Sequence, residues 1–458
     1  MAGGTWTSQN KVRPGAYINF KAVPKGSMTV GDRGVVAMAL PLNWGKNGQL
    51  IEVLSSDLLN GESKKLVGFT AFDADSKILA SALKYCYKAL VYRADAGGTK
   101  ATATIGKLTC TAKYAGTLGN SINITISKDA SNIYTVITYL NGSVVDSQKV
   151  AAISELENTD WIDFTEEESG SFIETAGTPL TGGANGTVSD STIYGTESTS
   201  FLSLLEMARW QTLAVFFYDT YTVSSNPSLA TMKGNLVAFI NRMRNDEGRY
   251  VQGVVPSYDA ANSEGVINNV CGAVINGITF TVEEFVAVVA GMTAGADINE
   301  SNTAKVIEGA TSIVGEMTDA QIKAALSAGK FVLSTSTSGN IKVEQDINSL
   351  HNYSSDQNYS FSKNRVIRVL DEIGTTVKET WEDSYMGKID NNEAGRGLFK
   401  TDIIVYFNEL MRIGAIQNFE TDDIVVRQGV ELDAVVVDLY VQPVDSMEKL
   451  YMTVNVSS

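Results

Sequence analysis

The stretch ALVYR at Ala89–Arg93 is a short run of apolar and aromatic residues, which is typical of a buried strand. A helical pattern at Ser76–Lys88 precedes it, and an apolar strand pattern occupies Gly34–Leu42. From residue 94 to 189 the chain is instead rich in Thr, Ser, Asn and Gly. The earlier pattern resumes near residue 198. We therefore predict an α/β core that is interrupted by an inserted β-rich domain.

The insert contains two clear strand signals. Ile122, Ile124 and Ile126 alternate with polar residues, as expected of a strand with one buried face. Asn141-Gly142 joins two further alternating segments and predicts a β-hairpin closed by a type I′ turn. The acidic stretch Glu155–Glu168 is a candidate helix.

Strands and helices alternate again after the insert, which predicts a sheet covered by helices. The predicted helices are Phe201–Trp210, Ser228–Arg244, Val282–Ala290 and Asp319–Ser327, and the predicted strands are Leu213–Phe217, Tyr250–Val255 and Phe331–Leu333. The last hundred residues have a different pattern. Two helices, Lys363–Met386 and Gly397–Ile413, are followed by two closing strands at Val435–Val441 and Leu450–Val456.

These patterns predict a multidomain protein of the α+β or α/β class. A helix-covered core sheet would carry an inserted β-rich domain, with strand-forming arms at both ends of the chain. The expected parts are an amino-terminal arm (1–22), a discontinuous α/β core (23–93 and 190–345), the β-rich outer insert (94–189) and a carboxyl-terminal α+β domain that ends in a linking strand (346–458).

Composition and motifs narrow the possible functions. The chain has 458 residues and a formal net charge of −16, which disfavours general binding to nucleic acid or anionic membranes because phosphates would be repelled. Its single histidine, His351, excludes a two-histidine metal site within one chain. The three cysteines are far apart and form no CxxC motif, so we expect reduced, mostly buried thiols. Phosphate-binding loops and nucleophile elbows are absent from the sequence, so we expect neither an enzyme nor a cofactor.

Two kinds of charged cluster have candidate functions. Adjacent acids such as Glu283-Glu284 and Asp371-Glu372 could serve a hydrolase, but solvated faces, helix starts and loops are the simpler interpretation. Lys363, Arg365 and Arg368 form a small basic cluster at the start of the long carboxyl-terminal helix. A solvated face is the simpler interpretation there, and a docking point for an acidic partner is the functional one.

Each end of the chain carries a short alternating strand attached through a turn or loop. A sheet edge has unpaired N–H and C=O groups, and monomers usually shield such edges. An arm with one apolar face suits pairing with an exposed edge of another chain, although both arms could also pair within their own chain. The residues predicted to form these strand-exchange arms are Ala16, Tyr17, Ile18, Asn19, Phe20, Leu450, Met452, Val454 and Val456.

Several segments resemble one known family. Trp6–Phe20, with its core RPGAYINF, resembles the amino terminus of sheath proteins of contractile phage tails and phage-tail-like bacteriocins, in the subgroup of Gram-positive hosts. The insert that follows ALVYR, the segment AKYAGTLGN at Ala112–Asn120, the exit LTGG at Leu180–Gly183 and the closing strands are similar to that family as well. The resemblance covers the whole chain in the order of its parts.

The resemblance implies a structural subunit. Copies would form a homo-oligomeric helical lattice around an inner tail tube, joined by their arms on a core sheet edge, and would contract to drive the tube through the target cell envelope. Baseplate and tail terminator proteins would be further partners, without direct nucleic-acid contact or membrane insertion. The particle would be a virion tail or a bacteriocin, assembled in the host bacterial cytoplasm. The insert would face outward, and Lys363, Arg365 and Arg368 would contact the tube.

Two other functions remain open on the residues alone. One is a carbohydrate-active hydrolase with a β accessory module. The other is a different building block, such as a baseplate, adhesin or surface-layer subunit. A hydrolase should remain small in sedimentation, whereas a sheath protein should form large cylinders that electron microscopy distinguishes from other assemblies.

Overall fold

A computed structural model gives the fold. It describes residues 33–167, 170–219 and 229–456, together with the strands Ala2–Gly4 and Gly15–Tyr17, for which only the backbone is described. The chain divides into two compact units, a larger one of Gly31–Thr375 with Pro443–Ser458 and a smaller one of Met1–Val30 with Thr376–Gln442.

A seven-stranded sheet forms the centre of the larger unit. All neighbouring strands in it are parallel except Leu50–Leu54, which runs antiparallel to Lys88–Arg93 at one edge. Its central strands are apolar on both faces, as expected of a parallel sheet with helices on each side. The strand order is Lys330–Phe331, Val266–Asn269, Gln252–Pro256, Thr212–Ala214, Val35–Leu40, Lys88–Arg93 and Leu50–Leu54.

Helices pack on both faces of this core sheet, which confirms the predicted architecture. Val36 and Met38 point into one hydrophobic core, while Val35 and Ala37 point into the other. The larger unit has helices at Ser55–Asn60, Ser63–Val67, Lys77–Leu83, Asp190–Ile193, Phe201–Leu205, Leu229–Asn245, Val282–Gly295 and Asp319–Ser327. Smaller strands add Gly272–Ile275, Ile278–Phe280 and Ala310–Val314 in one antiparallel sheet, and Leu333–Thr335 with Ile341–Val343 in a hairpin.

One helix pair depends on a close approach of backbones. A Cβ atom on Gly291 would lie 2.4 Å from the carbonyl oxygen of Ala82, so a larger residue there would push the two helices apart. The same helix begins with a capping box in which Thr281 accepts from the Glu284 N–H and Glu284 accepts from the Thr281 N–H. Glu283-Glu284 therefore starts a helix, as predicted.

The insert is a β-sandwich with its own core. One sheet has the order Ser143–Val150, Tyr134–Leu140, Ile122–Lys128 and Thr175–Pro179, and the other has the order Ile162–Glu166, Leu108–Ala112 and Thr102–Ile105. Ile122, Ile124 and Ile126 are buried between the sheets, as their alternation predicted. Asn141 and Gly142 have φ values of 50° and 79°, which confirms the predicted turn.

The predicted helix at Glu155–Glu168 is wrong. Ile162–Glu166 is a strand that pairs with Leu108–Ala112, because its alternating side chains close one side of the sandwich.

The three cysteines are as predicted: Cys86, Cys110 and Cys271 are buried and free. Burial raises the pKa of the Cys86 and Cys110 thiols to about 12.

A buried ion pair fastens the insert to the core sheet. Arg93, at the end of its strand, donates to Asp95 at 2.6 and 3.0 Å and to the carbonyls of Gly45 and Ala115 at 3.0 and 2.7 Å. Asp95 in turn accepts from the backbone N–H groups of Leu42 at 2.8 Å and Gly186 at 3.1 Å. Both side chains are almost fully buried. The junction therefore joins both entry and exit strands of the insert to the core through one charged pair.

The carboxyl-terminal helices were predicted with the correct type and approximate length. The first covers Asn364–Thr380 and continues as a π-helical turn at Trp381–Tyr385, and the second covers Glu393–Arg412. In the smaller unit, Phe399 packs against the stacked rings of Trp381 and Tyr385. A hairpin of Ile424–Gln428 and Val435–Leu439 and the short pair Ile416–Gln417 with Gln442–Pro443 complete the order of elements.

Candidate assembly site

The last predicted strand is not paired with any strand in the described part of this chain. We call Leu450–Val456 the terminal segment; it lies in no strand and makes no ladder hydrogen bonds within the described part of the chain. Its four alternating apolar side chains, Leu450, Met452, Val454 and Val456, are between 70% and 89% exposed. A segment with an exposed apolar face and unpaired backbone groups can add a strand to a sheet edge of another chain.

The base of this segment is held by a single carboxylate. Glu448 accepts hydrogen bonds from the Thr303 hydroxyl at 2.8 Å and from the Gln345 amide at 2.5 Å, and it forms an ion pair with Lys363. The Lys363 and Glu448 side chains are only 4% and 11% exposed. We call these four residues the Glu448 anchor. They lie far apart in sequence, so the fold alone brings them together.

Neighbouring groups orient the donors of the anchor. The Asp346 N–H donates to the Thr303 hydroxyl oxygen at 2.9 Å, which leaves the hydroxyl proton free for Glu448. The Lys363 ammonium group also lies 5.4 Å from the centre of the Tyr359 ring, within cation–π distance. The Glu448 carboxylate therefore binds to donors that other contacts already orient.

The electrostatics of the anchor favour both charged forms. Burial opposes ionisation of Glu448, but the hydrogen bonds from Lys363, Gln345 and Thr303 outweigh it and lower its pKa. Burial opposes the charge of Lys363 as well, and Glu448 raises the pKa of that lysine. At neutral pH the pair is therefore fully ionised.

We expect acid to release the anchored segment. Because the Glu448 pKa is lowered in the fold, its stabilising effect is complete above the ordinary value of 4.5 and is lost as the pH falls through the lowered pKa. The methyl NMR signals of Met447 and Met452 should sharpen on that descent, with no comparable change between neutral pH and the ordinary value. The variant Glu448→Gln should show no such transition, and an identical transition in both proteins would contradict the assignment.

Lys363, Arg365 and Arg368, the basic cluster, are less exposed than a solvated face would be. Lys363 is buried in the anchor, and Arg368, 1% exposed, pairs with Asp346 at 3.1 Å. Arg365 is half-buried. A solvated face was the simpler interpretation, and it is wrong for Lys363 and Arg368, because counter-ions distant in sequence bury them. Contact of the three cations with a tube stays a prediction.

The acidic pair on the same helix is also buried. Asp371 accepts two hydrogen bonds from the Arg244 guanidinium, at 2.9 and 2.7 Å, and Glu372 lies 4.0 Å from Arg33. A solvated face was the simpler interpretation of this pair, and it is wrong for these two acids. Together with Arg368 they fasten the first turns of the helix to the larger unit through charge.

Comparison with known protein families identifies the chain. Residues 197–349 match the phage tail sheath protein central domain, residues 96–185 match the phage tail sheath protein beta-sandwich domain, and residues 356–457 match the phage tail sheath C-terminal domain. The chain belongs to the phage tail sheath family. It is therefore a structural tail sheath subunit, as the resemblance implied.

Individual relatives of this sheath protein extend over its full length. It is 32% identical to the phage-like element PBSX protein XkdK of Bacillus subtilis over 485 residues, which covers all of both chains. A sheath tail protein of Desulfitobacterium hafniense is 37% identical and has a TM-score of 0.78, with 96% of this chain and 99% of that one covered. The anti-feeding prophage helical sheath in its contracted state shares the fold alone, at 11% identity and a TM-score of 0.56 over 97% of this chain and 99% of that one.

The amino-terminal arm of this sheath protein is described in part. Gly15–Tyr17, which contains Ala16 and Tyr17, pairs in parallel with Ala2–Gly4 of the same chain. Ile18, Asn19 and Phe20 lie outside the described residues. The assignment of these five residues to a strand-exchange arm stays a prediction.

The hairpin of the smaller unit has two open edges. Ile424–Gln428 and Val435–Leu439 pair with each other over five residues, and no third strand joins them among the described residues. Two-stranded hairpins are marginally stable alone and gain from added strands. The hairpin is therefore a suitable acceptor for an extended segment.

Other candidate chemistry of this sheath protein has a structural explanation. His351 lies in a loop, where its Nδ1 is 2.9 Å from the Ser349 carbonyl oxygen. The described residues contain no group of His, Cys, Asp and Glu side chains that could hold a metal ion. No helix in the described ranges has the length and apolar character needed to cross a membrane.

Sequence reasoning missed Glu448, Thr303 and Gln345. Glu448 is one acid in a polar stretch before an apolar strand, which resembles any solvated loop residue. Its partners precede it by 145, 103 and 85 residues, so no local spacing connects them. Only the tertiary fold shows that these polar groups converge.

Proposed function

We propose that this sheath subunit polymerises around an inner tail tube and contracts to drive that tube through the envelope of a target cell. The observation that carries the proposal is the terminal segment, whose apolar face and backbone groups are left exposed by an otherwise well-packed chain. As a building block, the protein would need neither a catalytic centre nor a cofactor.

The joint between subunits would be a donated strand. A strand of about five residues could form about 4–6 backbone hydrogen bonds, each contributing about 0.5–1.5 kcal/mol net. The terminal segment of one copy would complete the open hairpin of a second copy, and the amino-terminal arm would add a further strand. Because every subunit both donates and accepts, the result is a continuous lattice.

Contraction requires joints that persist while other contacts change. A flexible arm can stay paired while the larger units of neighbouring subunits rotate past each other. The extended lattice would be metastable, held by a kinetic barrier until a baseplate signal starts the change. Besides the tube and baseplate, a tail terminator protein would be a partner. The assembled tail would form in the host cytoplasm, as part of a virion or bacteriocin.

Assembly of the purified protein tests this proposal. On concentration, the protein should sediment as large particles, and electron micrographs should show hollow striated cylinders of two lengths. A protein that stays small at every concentration would contradict the proposal and is the result expected of a hydrolase. Assemblies of any other shape would indicate a different structural subunit.

Deleting Ala2–Phe20 is expected to leave a folded protein that forms no long cylinders. The described part of the larger unit keeps its own hydrophobic cores, so its circular dichroism spectrum and melting temperature should change little. Electron microscopy of the variant, beside the full chain at equal concentration, measures the loss. Normal cylinders from the truncated chain would show that the amino-terminal arm does not join subunits.

A further inference from the structure

Glu448 is less exposed than its neighbours at the end of the chain. From Met447 to Val456, every residue except Glu448 is exposed. The side chain of Glu448 is 11% exposed and receives a donor from each of three separate segments, at Thr303, Gln345 and Lys363. Within Met447–Val456, Glu448 is therefore the residue whose side chain holds the segment, and the residues after it leave their side chains exposed to a partner.

Asp346 connects the Glu448 anchor to the core through hydrogen bonds. Asp346 donates its N–H to Thr303, and its carboxylate accepts from the N–H of Asn302 at 3.0 Å and from the Asn364 amide at 2.8 Å. The same carboxylate pairs with Arg368, which lies five residues after Lys363 in the helix that begins at Asn364. Tension on Glu448 would thus pass through Lys363 and Thr303 into the helix and the loop that Asp346 joins.

We propose that Glu448 is the fixed end of the donated strand, so that the strand begins at Leu450 and the pull of a neighbouring subunit is transmitted to the core through this carboxylate. The inference rests on the proposed function, in which the terminal segment pairs with a second copy. Val456 is eight residues after Glu448, and eight extended residues span at most about 29 Å. The acceptor edge that pairs with Leu450–Val456 must therefore lie within about 30 Å of Glu448 in the assembled particle.

The experiment compares four full-length variants with the original protein. Glu448→Gln and Lys363→Met each remove one charge of the anchor, and the double exchange Glu448→Lys with Lys363→Glu restores an opposite pair. Asp319→Asn is the matched control, because it removes an ion pair of 2.6 Å with Lys323 that is largely exposed. One portion of each protein is digested briefly with trypsin, which cleaves after Lys449, and a separate undigested portion is assembled and imaged.

We expect both single variants to stay folded and to be cleaved after Lys449 about tenfold faster or more, the size that loss of a charge-assisted hydrogen bond predicts. Their cylinders should be fewer and shorter, and they should break into fragments when contraction is triggered. The double exchange should recover a substantial part of cylinder formation, which is its readout because Glu448→Lys adds a tryptic site, and the control should match the original protein in both properties. Recovery distinguishes an electrostatic attachment from a general loss of packing.

Two outcomes would overturn the inference. In the first, cleavage after Lys449 is unchanged in Glu448→Gln. In the second, cleavage is faster but cylinders form and contract normally. A variant lacking Leu450–Ser458 separates these failures from failure of the proposed function: normal cylinders from it reject strand donation itself, whereas their loss beside normal assembly of Glu448→Gln rejects only the role of the anchor.

Discussion

Removal of Leu450–Ser458 should raise the concentration needed for sheath assembly by about 100-fold or more, while the isolated protein stays as stable as before. The described part of this segment makes no ladder hydrogen bonds in its own chain, so its loss costs the monomer little. In the lattice it would contribute several kcal/mol through backbone hydrogen bonds, and each 1.4 kcal/mol is about tenfold in affinity. Sedimentation across a concentration series measures the change.

A pair of matched double variants tests why the segment matters. Met452→Asp with Val454→Asp places two charges on its apolar face, and Thr453→Asp with Asn455→Asp places two on the opposite face. If the strand packs with its apolar face inward, the first pair should abolish cylinders and the second should leave most of them. Equal damage from both would mean that net charge, and not burial of one face, controls assembly.

Replacing Arg93 with alanine should lower the free energy of unfolding by about 3–5 kcal/mol, the cost of breaking a buried ion pair. The substitution leaves Asp95 buried without its cation and the carbonyls of Gly45 and Ala115 without their donor. The insert should loosen from the core sheet first. Urea unfolding followed by tryptophan fluorescence reports this, because Trp44 is fully buried beside Trp161 of the insert.

Two controls sharpen the Arg93 experiment. Lys323→Ala removes an exposed ion pair and should cost less than about 1 kcal/mol. Replacing both Arg93 and Asp95 by methionine and leucine should remain destabilising, because Asp95 also accepts from the N–H groups of Leu42 and Gly186. A double variant as stable as the original would show that the two charges serve only each other.

Local periodicity was enough to predict most elements of this fold. The Asn141-Gly142 turn, the alternation of Ile122 to Ile126 and the helical spacing after Lys363 each depend on residues that are neighbours in sequence. The prediction of a helix at Glu155–Glu168 was wrong because the structure there depends on residues distant in sequence. Its residues are a strand because Leu108–Ala112 offers a sheet edge to them, and that partner lies about fifty residues earlier.

Of the candidate assembly site, only the part that shows as a periodic sequence pattern could be predicted. The apolar alternation from Leu450 to Val456 can be seen in the sequence, and the structure leaves these side chains exposed and the segment unpaired with any described strand. The Glu448 anchor could not be predicted, since it depends on three donors from separate parts of the fold. For the same reason Lys363 and Arg368 resembled a solvated basic face, although their counter-ions bury them.

The burial of Cys86, Cys110 and Cys271 bears on how long an assembled particle lasts. Burial raises the pKa of all three thiols, to about 12 for Cys86 and Cys110, so they hold almost no thiolate near neutral pH, and thiolate is the form that reacts with oxidants and disulfides. In the proposed lattice, reactive thiolates would form covalent cross-links between subunits that must move during contraction. Because the three thiols are buried, the proposed sheath would keep its subunits free to move under oxidising conditions.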